Sequence, residues 1–194
     1  MTYPLAPNGI FWSLQGEGHL QGTPMVFVRL AGCDVNCPSC DTDYRTDRRA
    51  SVGEIVSEIK ELETAAEWIW ITGGEPTIHD IAPLVLALQG HGWKVAIATA
   101  GEHPVTAPVD WLSVSPHRPG VLRQRFGHEA KLVPGLWGEP GVLRKSIEGA
   151  DFWFRYVQPH ATDPRYGMEW AVDFVRQNPG WCLSEQRHKR WGLP

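Results

Sequence analysis

Residues 25–40 read Met-Val-Phe-Val-Arg-Leu-Ala-Gly-Cys-Asp-Val-Asn-Cys-Pro-Ser-Cys. The first part is an apolar run of the length expected for a buried strand, and the cysteines Cys33, Cys37 and Cys40 follow it directly. Three thiolates in one loop can hold three corners of a cubane [4Fe–4S] cluster and leave the fourth iron open to a ligand. The stretch therefore predicts a strand that ends at a reaction centre.

Structural zinc is the main alternative for the three cysteines. Zinc sites usually have four ligands in two separated pairs, whereas the fourth cysteine, Cys182, lies far along the chain. Disulfides are disfavoured because the sequence shows no secretory signal, so we expect a cytoplasmic protein. The spacing favours iron–sulfur and leaves a non-catalytic, zinc-stabilised binding module as a second hypothesis.

Length and charge restrict the possible partners. With 194 residues and 42 % hydrophobic content, the chain predicts a single domain over residues 1–194. The net charge is −4 and the basic residues are dispersed, which argues against nucleic acid or a membrane surface as a partner. We expect a small-molecule substrate.

Strand-like and helix-like segments alternate along the chain. Apolar runs predict six buried parallel strands, at residues 25–31, 68–72, 94–99, 111–115, 129–133 and 152–158. Helices are predicted at 51–63, with Ser51 and Glu54 as a capping box, at 80–88, capped by Asp80, and at 164–178. Residues 101–109 and 116–126 are predicted to be loops.

The strand count predicts an incomplete barrel. A closed eight-fold β/α barrel takes ~250 residues, so this shorter chain predicts an α/β fold in which a partial, open β/α barrel has about six parallel strands and few helices. Parallel strands bring their carboxyl ends to one rim, where ligand-binding loops belong. The cysteine loop is expected on that rim.

A second loop on the same rim is Thr72-Gly73-Gly74-Glu75-Pro76, which directly follows the predicted strand 68–72. Two glycines let a backbone approach a ligand closely, and a carboxylate accepts hydrogen bonds from an ammonium group. An isolated Gly-Gly pair is usually a structural turn. Its position beside the cysteine loop makes ligand binding the better interpretation.

The pattern Cys-x₃-Cys-x₂-Cys followed by Gly-Gly-Glu-Pro resembles the radical S-adenosylmethionine superfamily. The resemblance implies a radical-SAM-type barrel in which Cys33, Cys37 and Cys40 hold a [4Fe–4S] cluster and S-adenosylmethionine chelates the open iron. It implies contacts to S-adenosylmethionine from Ser39, Gly73, Gly74, Glu75, Ser115, Pro116, His117 and Gln158. Ser39 departs from the aromatic residue common before the third cysteine, so other residues must contact the adenine.

Four further segments resemble the 7-carboxy-7-deazaguanine synthase family within that superfamily: residues 11–18 (Phe-Trp-Ser-Leu-Gln-Gly-Glu-Gly), 26–33, 40–42 (Cys-Asp-Thr) and 186–194. This resemblance implies the conversion of 6-carboxy-5,6,7,8-tetrahydropterin to 7-carboxy-7-deazaguanine with release of ammonia, in queuosine and 7-deazapurine biosynthesis. It also implies dependence on Mg²⁺. Another radical S-adenosylmethionine enzyme, such as a glycyl-radical activase, is the alternative within the superfamily.

The family resemblance implies roles for particular residues. Thr42 is the implied Mg²⁺ ligand, and Mg²⁺ characteristically takes few protein oxygens. Arg29 lies in an apolar strand, where an unpaired charge is costly; it is expected to grip the substrate carboxylate, with an internal salt bridge as the alternative. The implied substrate contacts are Leu14, Gln15, Gly16, Glu17, Arg29, Thr72, Gln158, His188 and Pro194.

The resemblance assigns no catalytic side chain, because the radical comes from the cofactor. An electron donor such as flavodoxin or ferredoxin is implied as a partner. An abbreviated barrel exposes its side, and a second copy of the chain would cover it. We therefore predict a homodimer.

Overall fold

The computed structural model describes residues 1–38, 40–135 and 139–194. The strands in these ranges are β1 (Thr2–Leu14), β2 (Pro24–Leu30), β3 (Arg48–Ser51), β4 (Trp68–Gly73), β5 (Lys94–Thr99), β6 (Trp111–Val114), β7 (Phe126–Leu132), β8 (Asp151–Val157) and β9 (Cys182–Leu183). The helices are α1 (Val52–Glu61), α2 (Ala82–Gly90), α3 (Pro140–Ser146), α4 (Met168–Gln177) and α5 (Arg187–Trp191).

In the described part of the chain, the strands form one nine-stranded sheet in the order β3-β1-β2-β4-β5-β6-β7-β8-β9. Strand β1 runs antiparallel to β2 and to β3, and every later pairing is parallel. The two outer strands, β3 and β9, are at opposite edges, so the sheet does not close. The predicted open, partial barrel is confirmed.

All six predicted strands are present, and three more were missed. Strand β1 contains Pro4, Pro7 and Gly9, which hide the strand pattern. Its register with β2 shifts between Leu5 and Ile10, and Asn8 there has φ 50°, so a bulge accommodates Pro7 and Gly9. Strand β9 has only two residues, too few to show a periodicity.

The helix predictions need two corrections. The Ser51–Glu54 capping box of α1 is confirmed, since both reciprocal hydrogen bonds are present. Asp80 is not the N-cap of α2: Ile81 is, although an Asp80 carboxylate oxygen accepts from the Ala82 N–H at 3.3 Å. The helix predicted at 164–178 is divided into a 3₁₀ turn (Pro164–Tyr166) and α4, which begins after Gly167.

The two faces of the sheet differ in what they pack against. The outer face carries the main core, including Val28 and Ile71 packed with Ile55 of α1 and Leu84 of α2. On the inner face a smaller aromatic cluster contains Met25, Phe27, Trp70, Ala96 and Trp111. Because side chains alternate along a strand, polar residues beyond this cluster point to the same inner face near the rim. None of the described helices is long and apolar enough to cross a membrane.

Candidate active site

The cysteine loop and the Gly-Gly loop are joined by their backbones. The Gly74 N–H donates to the Leu30 carbonyl and the Glu75 N–H to the Gly32 carbonyl, both at 2.9 Å. A Cβ atom on Gly74 would lie 1.9 Å from the Gly32 carbonyl oxygen. Gly73 has φ 126°, in the region that favours glycine. Both glycines are therefore required for the two loops to meet.

The chemistry of the three cysteines fits an iron–sulfur cluster with one open iron. They share one loop at the carboxyl end of β2, where the Cys40 N–H donates to the Cys37 carbonyl at 3.3 Å. Burial raises the pKa of Cys33, while the backbone amides of Val35 and Asn36 act against this rise. Within the described residues, no group of three His, Cys, Asp or Glu side chains is already gathered as a metal site. The loop places the three cysteines on one short segment and, within the described residues, does not hold their side chains in a closed ligand set.

Glu75 is buried and ties the Gly-Gly loop to the end of β5. One carboxylate oxygen accepts from the hydroxyls of Thr77 and Thr99, at 2.6 and 2.7 Å, and from the Thr77 N–H at 3.1 Å. The other accepts from the Ala100 N–H at 2.7 Å. This second oxygen retains a lone pair for another donor. Contact with the amino group of S-adenosylmethionine remains a prediction for Glu75.

The segment Ser115-Pro116-His117 follows β6 on the same rim. The Ser115 N–H donates to the Thr99 carbonyl at 2.8 Å, which places it beside the Glu75 anchor. Burial lowers the pKa of His117 to about 4, so its imidazole is neutral at pH 7. Its Nδ1 atom is buried without a hydrogen-bond partner in the described residues. Ser39, also predicted to contact S-adenosylmethionine, lies outside the described residues.

Arg29 and Thr72 are register partners on the parallel strands β2 and β4. The Arg29 guanidinium lies 4.5 Å from the centroid of the Phe11 ring. Burial lowers the pKa of Arg29, with Asp41 acting in the opposite sense, and Asp41 is itself paired with Lys189 at 2.6 Å. Arg29 forms no direct ion pair in the described ranges, where Asp41 acts on it by charge alone and without a hydrogen bond. The internal salt bridge that would explain it otherwise is therefore not found there.

The loop after β1 carries Gln15, Gly16 and Glu17 across the inner face. Leu14 ends β1, and the Gln15 side-chain oxygen accepts from the Glu17 N–H at 3.1 Å. The Glu17 carboxylate forms an ion pair with Lys131 of β7 and accepts from the Gln158 amide at 3.3 Å. The structure thus brings three of the predicted substrate contacts together, on elements far apart in sequence.

The segment after β9 closes the site from the other side. The Arg187 N–H donates to the Gly16 carbonyl at 3.0 Å, and a Cβ atom on Gly16 would lie 2.0 Å from Nδ1 of His188. The Ser13 hydroxyl donates to the Pro194 carbonyl at 3.4 Å. Burial lowers the pKa of His188, and the charges of Lys189, Lys131 and Arg29 lower it further. His188 therefore lies among the charged groups of the site.

Thr42 is half-buried just beyond the cysteines. Its hydroxyl donates to an Asp41 carboxylate oxygen at 3.5 Å. Although burial acts to raise it, the pKa of Asp41 is lowered by the hydrogen bond and charge of Lys189. A hydroxyl next to an ionised carboxylate is a set of oxygen donors that suits Mg²⁺.

Comparison with known proteins identifies the family. A 7-carboxy-7-deazaguanine synthase of Burkholderia multivorans is 35 % identical, with 100 % of both chains covered. The chain belongs to the 7-carboxy-7-deazaguanine synthase family. A second member, from Synechocystis, is 32 % identical over 100 % of this chain and 94 % of that protein. No family model matches the sequence.

A solved structure of the same family has the same fold. The crystal structure of QueE from Escherichia coli aligns with a TM-score of 0.78 and 27 % identity, covering 95 % of this chain and 93 % of that one. Membership of the synthase family makes a [4Fe–4S] cluster and S-adenosylmethionine the expected cofactors. The donor set described above fits both.

Two charged residues of β7 that contact the loop after β1 were not singled out from the sequence. Glu129 is buried, which raises its pKa, and it accepts from the Ser113 hydroxyl at 2.7 Å and the His19 N–H at 2.8 Å. Lys131 follows two residues later on the same face of β7. The sequence contained a signal that could have found them. An unpaired charge within a buried strand is costly, and this argument, which was applied to Arg29, applies equally to Glu129 and Lys131.

Proposed function

We propose that this chain is a radical S-adenosylmethionine lyase that converts 6-carboxy-5,6,7,8-tetrahydropterin to 7-carboxy-7-deazaguanine and ammonia, in queuosine biosynthesis. The observation that carries the proposal is that the rim with the three cysteines also carries Arg29, a strand cation that forms no direct ion pair in the described residues and is affected by Asp41 only as a nearby charge. A bidentate grip on a substrate carboxylate would satisfy it. The family assignment supports the same reaction.

The cofactor residues would be Cys33, Cys37 and Cys40 for the cluster and the Gly73–Gly74 backbone for S-adenosylmethionine. When bound, this pair supplies a hydrogen-abstracting radical. The chain contributes orientation and shielding: Ser115, Pro116 and His117 line the same rim, and the neutral His117 ring adds no positive charge beside a sulfonium. Glu75 holds the Gly-Gly loop in place through Thr77, Thr99 and Ala100.

The residues that bind the substrate would lie on the loop after β1, which crosses the inner face, and on the segment after β9. Arg29 binds the carboxylate, and Gln15 and Glu17 meet the donor and acceptor edge of the pterin. Thr72 lies in register with Arg29. Further contacts to the substrate would come from Gln158, His188 and Pro194. Leu14 ends β1 directly before this loop, and Gly16 leaves the space that His188 fills.

We further propose that Thr42 contributes to a Mg²⁺ site that also uses the substrate carboxylate. Mg²⁺ keeps several waters and takes few protein ligands, so Thr42→Val should raise the Mg²⁺ concentration needed for half-maximal rate. Thr46→Val, an exposed change in the same loop, is the matched control. An equal Mg²⁺ response in both variants would reject Thr42 as a ligand.

The remaining proposals concern partners and location. An open sheet with exposed Phe126 and Trp153 beside a groove of about 230 Å³ suits a homodimer, which light scattering tests. We also propose a flavodoxin or ferredoxin as electron donor, and a cytoplasmic location, because reduced thiolates persist there. The 194 residues would act as one domain.

The decisive experiment is anaerobic incubation of the reconstituted protein with 6-carboxytetrahydropterin, S-adenosylmethionine, Mg²⁺ and a reductant, followed by mass analysis. The expected result is a product with the mass of 7-carboxy-7-deazaguanine, together with free ammonia. Cleavage of S-adenosylmethionine without this product would favour another radical enzyme. A reconstituted protein that binds zinc and no iron would favour the binding module.

A further inference from the structure

Two side chains of strand β7 contact the loop after β1 at separate points. Glu129 accepts from the backbone N–H of His19 at 2.8 Å, and a Cβ atom on Gly18 would lie 2.5 Å from its carboxylate. Lys131 instead contacts a side chain, the Glu17 carboxylate. Both side chains point to the inner face, because they are two residues apart on one strand.

The Glu17–Lys131 pair is largely removed from solvent. Only 19 % of the Glu17 side chain and 13 % of the Lys131 side chain are exposed. Burial lowers the pKa of Lys131 to about 8. A buried charge is costly unless a partner and hydrogen bonds satisfy it, so each of the two residues depends on the other.

The loop backbone does not need this ion pair to hold its position. The Glu129 contact fixes His19, the Ser184 hydroxyl accepts from the Gly18 N–H at 3.0 Å, and the Gly16 carbonyl accepts from the Arg187 N–H at 3.0 Å. These bonds flank Glu17 on both sides. The ion pair therefore acts on the orientation of the Glu17 side chain.

The Glu17 carboxylate also has unused hydrogen-bonding capacity. One oxygen accepts from Lys131 and the other from the Gln158 amide at 3.3 Å. An ionised carboxylate offers about four acceptor positions. The Gln158 amide is itself oriented, because its oxygen accepts from the Ser184 hydroxyl at 2.9 Å. Two acceptor positions on a fixed carboxylate match two adjacent N–H donors of a planar ring.

We infer that Lys131 is a positioning residue for substrate recognition: its ion pair holds the Glu17 carboxylate in one orientation, so that the free lone pairs accept two neighbouring N–H groups of an aminopyrimidinone ring. This inference rests on the proposed function, in which Glu17 meets the pterin. Lys131 touches Glu17 and does not act on the reacting atoms.

The test compares Lys131→Met and Lys131→Gln with the wild-type holoenzyme. The KM for 6-carboxytetrahydropterin should rise at least about tenfold in Lys131→Met, the factor for one lost charge-assisted hydrogen bond. Cleavage of S-adenosylmethionine without substrate should stay at the wild-type rate. Lys131→Gln, which keeps one donor, should show a smaller rise in KM.

Lys94→Met is the matched control, since Lys94 pairs with Glu67 and both side chains are exposed; its KM should equal that of the wild type. The double variant Glu17→Gln/Lys131→Met should have the KM of Glu17→Gln alone, because Lys131 acts through Glu17. A double variant whose KM is much higher than that of Glu17→Gln would show a separate role for Lys131 and overturn the inference.

Folding of each variant is checked by circular dichroism and thermal unfolding. If Lys131→Met does not fold, Lys131→Gln decides: a wild-type KM in that variant overturns the inference. A wild-type enzyme that makes no product from the pterin would instead reject the proposed function. An active wild type whose KM is insensitive to both Lys131 changes rejects only the positioning role.

Discussion

The Gly74 backbone lies against the Gly32 carbonyl so closely that a methyl group on Gly74 would stand 1.9 Å from that oxygen and 3.0 Å from the Cβ atom of Cys33. Gly74 belongs to the loop proposed to bind S-adenosylmethionine, and Cys33 to the loop proposed to bind the cluster. The two proposed cofactor sites are therefore separated only by the backbones of these two loops, which are in direct contact. A change on either side must disturb the other.

Gly74→Ala should lose the cluster. The added methyl group forces the cysteine loop away from the end of β4, because the obstacle is backbone and not a flexible side chain. Iron content and the visible absorption of the reconstituted protein should fall towards those of a cysteine variant. Gly53→Ala is the control, since a Cβ atom there meets nothing within 4 Å. Full iron loading of Gly74→Ala would contradict the prediction.

Arg29→Met should weaken pterin binding without affecting cofactor cleavage. Loss of a bidentate contact to a carboxylate is expected to raise KM about 100-fold, while cleavage of S-adenosylmethionine without substrate should remain. The control is Arg49→Met, because Arg49 is exposed on β3 and bonds only Thr2 among the described residues. Steady-state kinetics under anaerobic conditions measure both. An unchanged KM would remove Arg29 from the substrate site.

The stability of the protein should fall as the pH drops from 6.5 to 4. His117 has a pKa of about 4 when folded and 6.5 as its ordinary value, so the unfolded chain binds the proton more tightly in this window. The loss attributable to His117 is on the order of 3 kcal/mol, at about 1.36 kcal/mol per pKa unit. Urea unfolding across this pH range measures it. The curve of His117→Leu should be flatter, and a parallel curve would refute the assignment.

Ser51→Ala should lower the free energy of unfolding by about 1 kcal/mol, the usual value of an N-cap. The Ser51 hydroxyl accepts from the Glu54 N–H at 3.3 Å, and the Glu54 carboxylate accepts from the Ser51 N–H at 2.6 Å. Ser57→Ala, an exposed change in the middle of α1, should be neutral or slightly stabilising. Chemical denaturation compares the two, and kcat should be unchanged in both.

The parallel part of the sheet was predictable because its strands are continuous apolar runs. Strands β2, β4 and β5 match residues 25–31, 68–72 and 94–99 closely, and the glycines of the second loop were recognised from their position after β4. The capping box of α1 was also predictable, because it is a local pattern whose hydrogen bonds involve only Ser51 and Glu54.

The contacts between distant segments were not predictable. Strand β1 was not predicted because Pro4 and Pro7 interrupt its pattern, and a bulge between Leu5 and Ile10 accommodates Pro7. The pairing of Glu17 with Lys131 depends on the loop after β1 reaching β7 across the inner face, and no local periodicity reports such a crossing. The sequence also could not reveal that the Glu75 carboxylate is held by Thr77, Thr99 and Ala100.

The crossing of the loop after β1 divides the proposed site into two parts that are held by different kinds of contact. The cofactor part joins neighbouring strands β2, β4 and β5, whereas the substrate part requires the Gly16–Arg187 and Glu17–Lys131 contacts between remote segments. Closing a longer stretch of chain costs more conformational entropy. A local change in the segment after β9 should therefore disturb the proposed pterin contacts while leaving the cysteine loop joined to the Gly-Gly loop.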